Sequence, residues 1–133
     1  MKIIIISQPA LITPETKDSL KKQAEELGTD CEFILENSEG GLITAIQRVS
    51  GTDSVILNAG DFASYSIAIR DAISSIEKTP VVEVHLSNTP ADGTTGRASV
   101  LSAVCDGVIS GFGQYGYAIA LQALTYEKRK RIV

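Results

Sequence analysis

The chain has 133 residues, which fits one domain with a hydrophobic core of its own, and we predict a single domain over 1–133. A formal net charge of −4 argues against a general nucleic-acid binder, because such proteins usually carry a basic surface. No apolar run approaches the roughly 18 residues of a membrane span, and the apolar start at 3–6 is too short for a signal peptide. We therefore expect a cytoplasmic protein with no nucleic-acid or membrane partner.

Short apolar strands and amphipathic helices alternate along the chain. The predicted strands cover 3–6, 31–35, 54–57 and 81–84, and a fifth is centred on 108–109. Thr13 and Pro14 give the first helix an N-cap and a first-turn proline, and Gly28 ends it. Asn37 or Ser38 can cap the second helix.

The second half of the chain continues the same alternation. A third helix follows the strand at 54–57, and the residues predicted for its core face are Ile67, Ile69, Ala72, Ile73 and Ile76. A short helical stretch is predicted at 99–104 and a closing helix at 117–124. The basic run at 127–131 is interpreted as a solvated helix end, where cations complement the helix dipole.

The order of these elements predicts the fold class. Five strand–helix units without a hairpin signal indicate an α/β protein with a parallel sheet covered by helices on both faces. With right-handed crossovers, the flavodoxin-like strand order 2-1-3-4-5 is the most economical arrangement, a three-layer sandwich. Ligands of such sheets bind beyond the carboxyl ends of the strands. Ser7, Asn58 and His85 each follow an apolar strand, and we expect all three to face one crevice there.

The cysteine pattern does not indicate a metal site. Cys31 and Cys105 lie far apart in the sequence, and neither has a second cysteine or a histidine nearby at ligand spacing. This pattern predicts two buried thiols and no metal. We also expect no organic cofactor.

His85, the only histidine, is the first candidate for chemistry. Glu83 lies two residues earlier on the same strand face and could orient or charge the imidazole, as a general acid requires. The alternative is a histidine that only ties down the loop after it. The amides of Leu86 and Ser87, with the side chains of Ser87 and Asn88, could form a small anion-binding turn.

Two further motifs have structural interpretations. Asn58 begins "NAG", and Asn-x-Gly after a strand is also ordinary turn chemistry. The stretch "GFGQYG" at 111–116 matches G-x-G-x-x-G, but the acidic residue expected about 20 positions later has no strand end to occupy. We interpret this stretch as a tight turn that lets a helix pack on the sheet.

Several stretches together resemble the type II 3-dehydroquinate dehydratase family. They are "ENSEGGLI" (36–43), "VILNAG" (55–60), "SIAIRDAI" (66–73), "VVEVHLSN" (81–88) and "GVISGFGQYGYAIALQAL" (107–124). The resemblance implies a flavodoxin-like domain, assembled through trimers into a dodecamer, that binds a small anionic, quinate-like ligand. It also implies removal of water from 3-dehydroquinate through an enolate, with a tyrosine base and a histidine acid.

The resemblance also implies roles for individual residues. His85 matches the acid, Glu83 its partner, and Asn58 an asparagine of the site. The turn at Leu86 and Ser87 matches the part that binds the substrate carboxylate, and Asp71 matches an acidic residue near the trimer contact.

The departures from the family pattern fall in the same site. In the first loop, "SQPALITPET" (7–16), Ala10 replaces an asparagine, and the stretch with the lid arginine and the tyrosine base is absent. Ser64 stands where a substrate-binding histidine is expected. Gly96 replaces a substrate-contacting arginine and leaves Arg97 as the nearby cation, and Tyr65 is a candidate replacement base.

Three hypotheses follow. The first is a divergent member of the family, weak or inactive as a dehydratase, that binds another small carboxylate. The second is an active 3-dehydroquinate dehydratase with a replacement base such as Tyr65, or with one from a neighbouring subunit. The third is a structural or regulatory oligomer.

Overall fold

The computed structural model describes residues 2–51, 53–88 and 98–130, for 127–130 the backbone alone. Within this part of the chain, five parallel strands form one sheet in the order 2-1-3-4-5, which confirms the predicted topology. The strands are β1 (Lys2–Ser7), β2 (Asp30–Leu35), β3 (Ser54–Asn58), β4 (Val81–His85) and β5 (Gly107–Ser110). The helices are α1 (Pro14–Glu26), α2 (Glu39–Gln47), α3 (Ile67–Ser75) and α4 (Tyr115–Lys130).

The sheet is buried on both faces because its central strands carry apolar side chains in both directions. All of β3 is buried, and so is β1 from Ile3 onward. Alternation along each strand divides the core into two parts. One part contains Ile4 and Val55 with the apolar faces of α2 and α3, and the other contains Ile3 with those of α1 and α4.

The helix starts follow the capping signals of the sequence. The Thr13 side chain accepts a hydrogen bond from the N–H of Thr16, and Ser38 rather than Asn37 caps α2 by accepting from Gly41. Ser66 caps α3 by accepting from Ile69. These caps fix the helix ends at the carboxyl edge of the sheet, where the first turn of each helix begins.

The structure corrects some sequence-based expectations. Ile67 was predicted to face the core but is 54% exposed, because it is the first residue of α3 and lies outside the buried stripe. Cys31 and Cys105 are free but only partly buried, and burial still raises the pKa of their thiols to about 11 and about 12. The helix predicted at 99–104 is reduced to one 3-10 turn, Ser102–Val104.

The "GFGQYG" stretch forms the tight turn between β5 and α4 that we predicted. Gly111 and Gly113 have φ angles of 93° and 55°, a left-handed region that favours glycine. A Cβ atom on Gly116 would lie 3.2 Å from Cγ1 of Val84 and 3.7 Å from Cγ2 of Ile109. Gly116 therefore allows the first turn of α4 to pack directly on β4 and β5.

Among the described residues, no helix is long and apolar enough to cross a membrane.

Gly116→Val is expected to destabilise the fold by about 1–3 kcal/mol, because the added atoms crowd Val84 and Ile109. The free energy of unfolding in urea measures this loss. Gly40→Val is the matched control, since nothing lies within 4 Å of a Cβ atom at that helical glycine. Equal stabilities of the two variants would contradict the close contact between α4 and the sheet.

Candidate active site

The polar residues at the carboxyl ends of the strands divide between the two faces of the sheet. Ser7 and Asn58 lie on the side of α1 and α4, where both bond to Tyr117 of α4. Glu83 alternates with Val82 and Val84 and therefore faces the side of α2 and α3. We expected Ser7, Asn58 and His85 to line one crevice. This is wrong for Ser7, which is fully buried. Asn58 is nearly as buried, with 2% of its surface exposed.

Glu83 and His85 form a hydrogen-bonded pair at the end of β4. The Oε2 atom of Glu83 lies 2.7 Å from Nε2 of His85, the i to i+2 contact that their spacing predicts. The Glu83 side chain is 1% exposed and the His85 side chain 14% exposed. Because Nε2 is directed at the carboxylate, Nδ1 is the ring nitrogen left for another partner.

The Glu83 carboxylate is surrounded by donors. Its Oε2 also accepts from the hydroxyl of Ser99 at 2.5 Å, and its Oε1 accepts from the hydroxyl of Ser102 at 2.6 Å. Burial by itself raises the pKa of Glu83, but the hydrogen bonds from His85, Ser102 and Ser99 and the charge of His85 outweigh it and lower the pKa below its ordinary value. The pair therefore presents an ionised carboxylate to the imidazole.

Tyr117 is the centre of a second polar cluster, on the opposite face of the sheet. Its ring is fully buried, and its hydroxyl donates to the carbonyl of Leu11 at 2.8 Å. The same hydroxyl accepts from Nδ2 of Asn58 at 2.9 Å and lies 3.2 Å from Oγ of Ser7. Burial raises the pKa of Tyr117 despite these bonds, so its hydroxyl stays neutral and acts as a structural link between β1, β3 and the first loop.

The first loop, 8–13, is a fixed turn. Residues Pro9–Leu11 form a 3-10 turn closed by a bond from the N–H of Leu11 to the carbonyl of Gln8. Gln114 donates its amide to the carbonyl of Leu11 and accepts from the N–H of Thr13. With Tyr117, these bonds attach both ends of the loop to the start of α4.

The predicted anion-binding turn lies directly after His85. The carbonyls of His85 and Leu86 accept from the N–H groups of Gly111 and Gly113, at 3.3 and 2.8 Å. None of these bonds uses the N–H of Leu86 or Ser87. The glycine turn therefore fixes this turn through its carbonyls. Ser87 and Asn88 are exposed, so the other side of the turn is open to solvent.

Ser64 and Tyr65 lie in the turn after β3, which packs on the same side of the sheet as Glu83. Ser64 donates to the carbonyl of Asp61 at 2.9 Å. Tyr65 is 54% exposed, with its ring edge-on to Phe62 and the ring centroids 6.0 Å apart. The N–H of Val100 donates to the carbonyl of Ala63, which connects this turn to the segment that holds Glu83.

Asp71 is not hydrogen-bonded to the Glu83–His85 pair. The side chain of Asp71 is exposed on α3 and makes no hydrogen bond or ion pair with another described residue. Gly96 and Arg97 lie outside the described residues. Within the ranges that the structure describes, no group of three or more potential metal ligands occurs.

Comparisons with known proteins agree on one family. The family model for class II dehydroquinase matches residues 11–125, which include the Glu83–His85 pair and Tyr117. The chain belongs to the class II dehydroquinase family. It is 45% identical to the 3-dehydroquinate dehydratase of Bacillus cytotoxicus over 92% of this chain and 83% of the relative. It is 47% identical to that of Jannaschia sp. strain CCS1 over 76% of this chain and 68% of the relative.

Solved structures of class II dehydroquinases have the same fold. The type II dehydroquinase from Butyrivibrio crossotus superposes with a TM-score of 0.87 at 31% identity, over 93% of this chain and 97% of that chain. A 3-dehydroquinate dehydratase-like protein from Bifidobacterium longum gives a TM-score of 0.75 at 28% identity, over 95% and 96%.

The sequence analysis missed three residues of the two polar clusters. Ser99 and Ser102 have no motif of their own. The signal available was Glu83 itself, because a carboxylate in a strand covered by helices requires donors, and hydroxyls three residues apart on a later turn are candidates. Tyr117 was placed only as the start of a helix. A tyrosine in line with Ala120, Leu121 and Leu124 on the buried stripe needs a partner for its hydroxyl, which points to polar strand ends.

Glu83→Gln is expected to reduce the loss of unfolding free energy that occurs as the pH is lowered. The folded-state pKa of Glu83 is lowered, so its carboxylate stabilises the fold above the unfolded pKa of roughly 4.3, and this contribution disappears as pH falls through the lower folded pKa. Urea unfolding from about pH 7 to about pH 3 should show a shallower fall for the variant. Glu77→Gln, at an exposed carboxylate, is the control, and an equal slope in both variants would contradict the assignment.

Tyr117→Phe is expected to cost about 1–3 kcal/mol of unfolding free energy, because it leaves Asn58 and the Leu11 carbonyl without a buried partner. Tyr126→Phe, at a 49% exposed tyrosine of the same helix, should change stability by less than about 0.5 kcal/mol. Denaturant unfolding of both variants provides the comparison. A neutral effect at Tyr117 would show that its hydroxyl does not link the strand ends.

Proposed function

We propose that the protein binds a small quinate-like carboxylate at the carboxyl edge of the sheet and is a weak dehydratase at most. The observation that carries this proposal is the contact of 2.7 Å between the buried carboxylate of Glu83 and Nε2 of the only histidine. With Nε2 held by the carboxylate, a proton on Nδ1 of the imidazolium can be donated to a leaving hydroxyl. His85 is therefore the general acid, and Glu83 orients it.

The turn after His85 supplies the contact for the ligand carboxylate. Leu86 and Ser87 follow the acid directly, and the carbonyls of His85 and Leu86 are fixed by Gly111 and Gly113. Two amides beside each other and the Ser87 hydroxyl can bind one carboxylate. The distance between the acid and this turn is then set by the backbone, which orients a small acid toward Nδ1.

The proposed site has no general base in the first loop. Residues 8–13 contain no tyrosine or arginine, and the resemblance to the family places both in this loop. A positioned general base contributes about 10²–10⁴-fold to a rate. Without it, deprotonation of 3-dehydroquinate depends on solvent, and a turn fastened to Gln114 and Tyr117 cannot close over the ligand.

A second candidate function is an active 3-dehydroquinate dehydratase that uses Tyr65. Two observations favour it: the relatives that are 45% and 47% identical carry that enzyme name, and Tyr65 is exposed in the turn linked through Val100 to the segment that holds Glu83. The third candidate, a structural or regulatory oligomer, has support only from the family resemblance. That resemblance also underlies our proposal of trimer-to-dodecamer assembly with Asp71 near a subunit contact. We also propose a cytoplasmic location.

Absorbance of the conjugated enone product distinguishes the first two candidates. Wild type incubated with 3-dehydroquinate is expected to turn over slowly, and His85→Ala should lower the rate further by about 10²-fold or more. Tyr65→Phe should leave the slow rate unchanged, as should the control Tyr126→Phe. Loss of turnover in Tyr65→Phe, with turnover kept in the control Tyr126→Phe, would establish Tyr65 as the replacement base and overturn our proposal.

Binding is tested separately by thermal shift with quinate-like acids. Stabilisation of the wild type is expected, with a smaller shift for His85→Ala. If neither turnover nor stabilisation occurs, the proposed ligand site is wrong, and the oligomeric function becomes the better explanation.

A further inference from the structure

Two serines, Ser99 and Ser102, bind the Glu83 carboxylate together with His85. Ser99 donates to Oε2 and Ser102 donates to Oε1, so each carboxylate oxygen accepts a hydroxyl bond. His85 shares Oε2 with Ser99. The buried carboxylate thus has three donors, and no buried side-chain oxygen or nitrogen among the described residues is left without a partner.

The segment 99–102 is itself fixed by bonds that do not involve Glu83. The Ser99 oxygen accepts from the N–H of Leu101, which leaves its hydrogen to point at the carboxylate. The N–H of Val100 donates to the carbonyl of Ala63, and the fully buried Leu101 packs in the core between the sheet and α2 and α3. The serines thus reach Glu83 from a rigid support.

The neighbouring titratable group does not compete for this role. Cys105 follows the same segment, and burial together with Glu83 and Asp106 raises its pKa to about 12. Its thiol is therefore neutral at pH values near 7. The charge of Glu83 is balanced by the two hydroxyls and His85.

We propose that Ser99 and Ser102 are positioning residues: they hold the Glu83 carboxylate in place, and the carboxylate fixes Nε2 of His85 inward and Nδ1 toward the ligand. A carboxylate that loses a donor can rotate or take up a proton, and a protonated Glu83 no longer selects one ring nitrogen. The role of Nδ1 toward a ligand rests on the proposed function. The role of the serines in fixing the ring does not.

The single histidine makes the test direct, because every imidazole signal in a nitrogen–proton NMR spectrum belongs to His85. In the wild type, neutral His85 is expected as the Nε2–H form. Ser99→Ala and Ser102→Ala are examined separately so that one hydroxyl remains. Each should give a mixture of the two neutral ring forms. Each should also raise the pKa of Glu83, which is measured by carbon NMR. Ser99→Thr and Ser102→Thr should restore the wild-type spectrum, since both keep the hydroxyl.

Ser75→Ala is the matched control, because Ser75 donates to the carbonyl of Ala72 on α3 and does not touch Glu83. Unchanged ring forms and an unchanged Glu83 pKa in folded Ser99→Ala and Ser102→Ala proteins would overturn the inference. If turnover is measurable, each alanine variant should lower kcat by about tenfold with little change in KM. Intact ring selection without ligand binding would contradict the proposed function and leave the serine role supported.

Discussion

The buried carboxylate of Glu83 is the constraint around which this site is organised. A fully buried charge is tolerated only when its partners balance the loss of water, and here His85, Ser99 and Ser102 supply that balance. The consequence reaches beyond one pair. The segment 99–102 must stay against β4, and through Val100 it also fixes the turn that carries Ser64 and Tyr65.

Strand alternation explains why the carboxyl edge contains two polar clusters with different roles. On the side of α1 and α4, Tyr117 satisfies Ser7, Asn58 and the first loop, and this cluster is buried and structural. On the other side, the cluster around Glu83 ends at His85, which keeps some exposure. Under the proposed function, chemistry is concentrated at His85, where a ligand can reach the ring and the open turn that follows it.

The sequence predicts the sheet, its strand order and the Glu83–His85 contact because each follows from a local pattern: apolar runs, helix caps and the two-residue repeat of a strand. The sequence does not predict the role of a residue when that role depends on a hydrogen bond to a residue far away in the chain. Tyr117 bonds Ser7 across 110 positions, and Ser102 bonds Glu83 across 19. Ile67 was misplaced because apolar spacing does not show where a helix face ends. Ser7 was misplaced because β1 extends through it, and strand alternation then directs its side chain to the buried side of α1 and α4.

Under the proposed function, His85 supplies the acid and the first loop supplies no base, so one half of a proton-transfer pair is lacking. Turnover of 3-dehydroquinate with added imidazole or phenolate tests this directly. We predict that the enone forms at a rate proportional to the added base, and that His85→Ala abolishes the increase because the acid is then absent as well. A rate already maximal without added base would contradict the account, since it would mean that the protein carries a base of its own.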